Sequence, residues 1–176
     1  MPIARIGVIG AGQMGAGIAH VAALAGKDVV LADVSVELAR KGLAVVRKNL
    51  ARQVEKGKIT SEAAEAALGR IVPAGDVAAF GETDLVVEAI VENEGVKREL
   101  FARLDGILPP EAILASNTSS ISITRLGAAT KRPGNVVGLH FMNPVPVMQL
   151  VEVIRGIATS DETTAAVVAA AKEMGK

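Results

Sequence analysis

Apolar positions along this chain switch repeatedly between short continuous runs and stripes of helical period. Ile6, Val8 and Ile9 form a run that stops at Gly10, after which Met14, Ile18, Val21, Ala22 and Ala25 recur at helical spacing. Such a change of period predicts strand, turn and helix. Val29–Asp33 reads as a second strand, and Ser35 as the cap of a long helix with its stripe on Leu43, Val46, Leu50 and Val54, closed by Gly57. Thr60 and Ser61 offer caps for a short Ala/Glu-rich helix ending at Gly69. Further strands are expected over Arg70–Pro73, Thr83–Ile90, Ala112–Ser116, Val136–Met142 and Leu150–Ile154. Helices are expected over Asn93–Leu104 and Thr163–Met174, the latter capped by Ser160 with Asp161 and Glu162. Pro109-Pro110 breaks the chain, and Asn143-Pro144-Val145-Pro146 forces an extended or turning segment.

Strands alternating with helices predict an α/β fold of the doubly wound, Rossmann-like type: a mostly parallel sheet with helices on both faces. No repeat or low-complexity linker interrupts it, so residues 1–176 read as one domain. Ligands of such sheets bind outside the carboxyl ends of the strands, where the strand order reverses. The first strand ends in G-x-G-x-x-G: Gly10, Gly12 and Gly15. Gly10 suits the tight turn, Gly12 the close approach of backbone to a pyrophosphate, and Gly15 the packing of helix on strand. The turn Gly10, Ala11, Gly12, Gln13, Met14 and Gly15 would then hold phosphates on the free N–H groups at the positive end of the helix dipole. Asp33, about twenty residues on at the end of the second strand, can accept hydrogen bonds from both ribose hydroxyls of an adenosine. The strand before the motif and the helix after it supply the context that dinucleotide binding requires.

Composition narrows the partners. Lys+Arg and Asp+Glu both number 19, so the formal charge is zero and nothing favours a nucleic-acid partner. There is no cysteine and there are only two histidines, so neither disulfides nor a metal site is expected. No apolar run reaches membrane-spanning length, and the start lacks the features of a secretory leader, so a cytoplasmic protein without a membrane partner is expected. The only aromatics are three Phe, which leaves the core to Val, Ile, Leu and Ala, as suits a buried parallel sheet. Lys48, Arg52 and Lys56 step by four along the polar face of the long helix. They fit either a solvated face or a phosphate-bearing substrate.

A nicotinamide dinucleotide exchanges hydride, and an alcohol substrate must lose a proton as its hydride leaves. That requires a base titrating near neutrality, for which histidine is the usual choice, together with an anion to stabilise the imidazolium. His140, near the end of the sixth strand, is the candidate base and Glu152 its candidate partner. A lone strand histidine also fits a satisfied core group, and Glu152 between Val151 and Val153 a solvent-facing position. Only folding could bring the two together.

Four stretches carry a family resemblance: GAGQMGAGIA, DLVVEAIVENEGVK, ASNTSS and GLHFMNPVPVMQLVEVI. Essentially end to end, the chain resembles the amino-terminal NAD-binding domain of the 3-hydroxyacyl-CoA dehydrogenases, including the bacterial 3-hydroxybutyryl-CoA dehydrogenases. The resemblance implies NAD as cofactor and an acyl-CoA substrate, oxidised between its (3S)-3-hydroxy and 3-oxo forms. It assigns His140 as general base, Glu152 as the paired carboxylate and Ser119 as a catalytic serine on the substrate oxygen near the nicotinamide. Asn143 resembles a contact on the nicotinamide side, Glu92 and Lys97 a cofactor-side pair, and Lys56 a coenzyme A contact. It further implies a carboxy-terminal helical domain, outside this chain, that completes the acyl-CoA groove and forms a homodimer. Two alternatives are a non-catalytic dinucleotide-binding module and a dehydrogenase of free 3-hydroxyacids, which shares the glycine motif but uses a lysine base.

Overall fold

The computed structural model describes residues 2–176. Seven strands form one sheet: β1 (Arg5–Ile9), β2 (Asp28–Ala32), β3 (Ile71–Ala74), β4 (Leu85–Glu88), β5 (Ile113–Ser116), β6 (Val136–Phe141) and β7 (Val151–Arg155). Their order is β3-β2-β1-β4-β5-β6-β7. All neighbours pair in parallel except β6 and β7, which run antiparallel. The first six follow the doubly wound order in which the chain leaves β1 toward one edge and returns at β4 toward the other. The helices are α1 (Gln13–Leu24), α2 (Val36–Glu55), α3 (Ser61–Gly69), α4 (Glu94–Asp105), α5 (Ile123–Gly127) and α6 (Asp161–Glu173).

Alternation along the strands divides the core between two faces. Ile6 and Val8, Leu85 and Val87, and Val137 and Leu139 join one apolar cluster with Ile18 of α1, Val46 and Leu50 of α2, and Val167 of α6. Ile9, Val86, Leu114 and Val136 join the other with Phe101 and Leu104 of α4 and Leu126 of α5. Glu88, Ser116 and His140 follow the parity of this second set, so their side chains leave the sheet on the α4–α5 face.

Several boundaries differ from the sequence reading, each for a local reason. The fourth strand is shorter than Thr83–Ile90. Thr83 is held back by the Phe80 carbonyl, to which its N–H (3.0 Å) and hydroxyl (2.9 Å) both donate, and the Ile90 N–H turns to donate to the Glu88 carboxylate at 2.7 Å. The third strand begins at Ile71 because Arg70 still has helical dihedrals as the C-cap of α3. The last helix starts earlier than expected: the Ser160 hydroxyl accepts from the Thr163 N–H, which puts Asp161 and Glu162 in the first turn, where the helix dipole favours anions. Short 3-10 turns at Val77–Phe80 and Pro133–Asn135, and the five-residue α5, escaped the periodic reading because none spans enough residues to show a period.

Candidate functional site

The carboxyl ends of β1, β2, β4, β5 and β6 carry most of the singled-out residues along one rim of the sheet. At the crossover, Gly10 has φ +100°, a conformation a side chain would strain, and its N–H donates to the Ala32 carbonyl at 2.9 Å. At Gly15 a Cβ would overlap the Gly10 carbonyl oxygen, so the close packing of α1 on the turn depends on that hydrogen. Gly12 differs: a Cβ there would meet nothing within 4 Å, so a side chain would project into the open space before the helix. Side chains of Ser35, Thr60, Asn93, Ser122 and Ser160 cap the other five α-helices, whereas α1 has no side-chain cap. Its first-turn N–H groups therefore remain for an anion, which suits the pyrophosphate of a dinucleotide. Ala11, Gln13 and Met14 surround this turn, Ala11 buried and Gln13 exposed.

Asp33 locks the turn to the end of β2. Its Oδ2 accepts from the Ala11 N–H and its Oδ1 from the Val34 N–H, both at 2.7 Å. Each oxygen retains a lone pair for a ribose hydroxyl. Asp33 lines two grooves. One, of about 450 Å³, includes Gly12, Gln13, Lys41 and Gly42. The other, of about 420 Å³, runs between Val34, Val77, Ile90 and Val96. Gly42 lets α2 approach the turn, since a Cβ there would stand 2.6 Å from the Ala11 carbonyl oxygen. Its neighbour Lys41 thereby supplies a cation to the groove, a residue the sequence reading did not single out.

His140 and Glu152 are direct partners across the β6–β7 ladder. Cross-strand partners share a face, and here His140 Nδ1 lies 2.8 Å from Glu152 Oε2. The histidine is 21% exposed and the glutamate 53%. Folding thus joins two residues twelve positions apart in the chain, and Nε2 is left without a protein partner among the described residues. Asn117 Oδ1 accepts from the Phe141 N–H at 2.8 Å and ties the β5 loop to the residue beside His140.

Between these lies a buried polar cluster. Glu88 is fully buried; its carboxylate accepts from the Lys97 ammonium and from the Ser116 hydroxyl, both at 2.6 Å. Lys97, only 1% exposed, also reaches Glu92 at 3.1 Å. Glu92 Oε1 accepts from the Thr118 hydroxyl and from Ser120 Oγ at 3.2 Å. Partial burial pushes the Glu92 carboxyl up, but these hydroxyls and the Lys97 charge outweigh it and hold the group below the usual carboxylate range. Ser119 and Asn143 are exposed at the same rim. Glu88 escaped the sequence reading, yet its signal was available: a carboxylate closing the otherwise apolar strand LVVE has to be paired if buried.

Lys56 lines a separate groove of about 260 Å³ with Asn49, Arg52 and Lys58 on one wall and Pro144, Pro146 and Val147 on the other. Lys48 is not among its lining residues, so only part of the predicted cation row gathers there. Buried His20 also borders this groove. Its ring meets Gln53 Oε1 at 3.1 Å, and burial, more than the opposing hydrogen bond, lowers its pKa. Among the described residues no helix is long and apolar enough to cross a membrane, and no three His, Asp or Glu gather as a metal site.

Comparison with known proteins fits this arrangement. The family model described as "3-hydroxyacyl-CoA dehydrogenase, NAD binding domain" matches residues 5–176. A 3-hydroxybutyryl-CoA dehydrogenase of Bradyrhizobium diazoefficiens is 61% identical over 161 residues, which cover 92% of this chain and 55% of the relative. The crystal structure of 3-hydroxybutyryl-CoA dehydrogenase from Escherichia coli K12 superposes over all of this chain and 37% of its own, with TM-score 0.98 and 44% identity. That of (S)-3-hydroxybutyryl-CoA dehydrogenase from Ralstonia eutropha covers 99% of this chain and 62% of its own, with TM-score 0.96 and 46% identity. The chain therefore spans between 37% and 62% of the length of these relatives. Gly12's open cradle, the uncapped α1 and the carboxylate of Asp33 suit the cofactor that the family's description names, and the chain belongs to the NAD-binding domain family of the 3-hydroxyacyl-CoA dehydrogenases.

Proposed function

We propose that this chain is the cofactor-binding part of an NAD-dependent oxidoreductase that interconverts a (3S)-3-hydroxyacyl-CoA and its 3-oxoacyl-CoA. The names of the relatives favour 3-hydroxybutyryl-CoA and acetoacetyl-CoA as the pair. The observation that carries the reading is the 2.8 Å contact between His140 Nδ1 and Glu152. With Nδ1–H donating to the carboxylate, Nε2 keeps its lone pair and can take the proton of the substrate's 3-hydroxyl. In the reverse direction the imidazolium, steadied by Glu152, returns that proton to the oxygen. NAD, when bound, supplies the acceptor for the hydride. Asp33 fits the adenosine ribose and the first turn of α1 the pyrophosphate, which directs the nicotinamide toward Ser119 and Asn143 on the other side of the crossover. Ser119 would donate to the substrate oxygen. Arg52, Lys56 and Lys58 offer charge for the phosphates of coenzyme A.

In this reading the remaining length of the relatives supplies a helical domain that closes the substrate groove and makes a homodimer, in the cytoplasm. Val147, Met148, Leu150, Ile154 and Ile157, exposed around the β7 edge, give such a partner apolar surface to cover. The pairing of histidine with glutamate favours this activity over the lysine-based dehydrogenases of free acids.

The test has two parts. This chain alone should bind NADH, measured by calorimetry, and bind acyl-CoA weakly. Placed within a protein of its relatives' full length, it should oxidise NADH with acetoacetyl-CoA. There His140→Gln should lower kcat at least about 10²-fold with NADH affinity retained, and Glu152→Gln should lower it by the same route. Wild-type turnover in either variant would remove the dyad from the mechanism. Cofactor binding without any turnover in the full-length protein would leave a non-catalytic module.

A further inference from the structure

The buried polar contacts between β4, α4 and β5 close into a ring. Glu88 Oε1 accepts from Lys97 Nζ at 2.6 Å, and Lys97 Nζ reaches Glu92 Oε2 at 3.1 Å. The Thr118 hydroxyl donates to Glu92 Oε1, the Thr118 N–H donates to Ser116 Oγ at 3.3 Å, and Ser116 Oγ donates back to Glu88 Oε2 at 2.6 Å. Four of the five members are 3% exposed or less; Glu92, at 43%, is the one that opens to the rim. Thr118 Oγ1 also accepts from the N–H groups of Ser120 (3.2 Å) and Ile121 (2.9 Å), so the turn bearing exposed Ser119 is wound around a ring member. A lysine and a glutamate this deeply buried are costly unless paired and hydrogen-bonded. An apolar pair would fill the same space without that cost, so the ring calls for a use.

We propose that this ring is a positioning device for the nicotinamide half of the cofactor site, with Glu88 and Thr118 as positioning residues that touch neither cofactor nor substrate. The inference rests on the cofactor reading above. The ring lies at the ends of β4 and β5, across the crossover from Asp33 at the end of β2. A dinucleotide laid over the crossover with its adenosine at Asp33 brings its other half there. The ring presents two groups to that half: the Glu92 carboxylate, as a hydrogen-bond acceptor, and the Ser119 turn. Glu88 does this through Lys97 and Ser116, and Thr118 through Glu92 and the backbone of the turn. Charge-assisted bonds in a closed, water-poor circuit resist displacement more than isolated ones would.

Thr118 is the joint to break, because Thr118→Val keeps the side chain's shape and leaves no buried charge unpaired. The probes are NADH, which spans both halves, and ADP, which occupies only the adenosine half, titrated by calorimetry into this chain. Circular dichroism checks the fold. Thr118→Val should bind NADH about tenfold more weakly, the size of one lost hydrogen bond to a charged acceptor. Its ADP affinity should equal wild type, and Thr118→Ser, which restores the hydroxyl, should recover NADH affinity. Glu88→Gln combined with Lys97→Met, which removes both buried charges together, should reproduce the selective loss. Wild-type NADH affinity in Thr118→Val overturns the proposal. So does an equal loss for ADP and NADH, which would make the ring structural only. A wild-type chain that binds neither probe would instead overturn the cofactor reading itself.

Discussion

In the proposed reading, Asp33 is where the choice of cofactor is made. Its carboxylate stands at the end of β2 with both oxygens already engaged by backbone N–H groups, so it is held in place and aimed. A 2′-phosphate would face that charge, and like charges in juxtaposition cost several kcal/mol. The sequence around Asp33 offers no cation, since Val34, Ser35 and Val36 follow it. Folding changes this account, because Lys41 lines the same groove and offsets part of the repulsion. Paired titrations should therefore show NADH bound at least about tenfold more tightly than NADPH. Lys41→Gln should widen that preference, and because Lys41 is exposed the fold should not change. Equal affinities for the two cofactors would remove Asp33 from the ribose site. Lys41 was not legible from the chain, for a physical reason: position along a helix does not say which face meets a turn some thirty residues earlier, and here the close approach of Gly42 to Ala11 decides it.

The strand–turn–helix element of β1 and α1 separates two jobs that one motif combines. At Gly15 the missing side chain serves the packing of the protein, and at Gly12, in the proposed reading, it leaves room for the ligand. Gly15→Ala places a methyl group into the Gly10 carbonyl oxygen, against backbone that cannot yield. It should destabilise the fold by more than about 4 kcal/mol, in the exceptional range for one substitution, and appear as a large fall in Tm. Gly12→Ala meets no atom, so its Tm should move by no more than about 4 °C, while NADH affinity falls at least about tenfold because the methyl group occupies the phosphate cradle. Calorimetry and thermal melts on both variants check the contrast. At this scale the sequence was readable wherever a period ran long enough: β1, α1, β2 and α2 lie close to where the apolar pattern put them. It was silent where the decisive event is tertiary. The antiparallel sense of β7 depends on the turn after β6, α5 is too short to carry a stripe, and the choice of Lys97 and Ser116 as partners for Glu88 is made by packing between elements. His140 and Glu152 could be named from the chain, but their contact could not be read there.

Across the whole molecule, buried ionisable groups set how the fold responds to acid. His20 is 1% exposed, and its Nδ1 has no partner among the described residues. Burial, with the nearby Lys176 charge adding to it, lowers its pKa against the raising effect of Gln53. The folded protein therefore binds a proton at His20 less readily than the unfolded chain does. Above about pH 6.5 both states are neutral there and nothing is lost. As pH falls below that value the unfolded chain takes up the proton first, and stability drops until the lowered folded pKa is reached. Carboxylates act further down. Burial raises Asp105, but the Lys131 N–H and the Arg132 guanidinium outweigh it, so its pKa is also lowered and its contribution is lost only in the ordinary carboxylate range and below. Thermal melts should show wild type losing Tm from about pH 6.5 downward, with His20→Gln flat through that window and falling only with the carboxylates. Parallel curves for the two proteins would mean that His20 is not the group responsible.

The cross-strand pairing of His140 with Glu152 makes the dyad's geometry all-or-nothing. Their separation is not an adjustable loop distance but one rung of a ladder whose period is two. The connection between the two strands, residues 142–150, can thus change length without altering the His140–Glu152 pairing, as long as the strands find the same rung. A slip by a single residue would instead turn Glu152 to the opposite side of the sheet. Residues within β7 that have no chemistry of their own, such as Val153 opposite Leu139, then act as a parity check on the His140–Glu152 pair: their fit against the core disfavours every misaligned version.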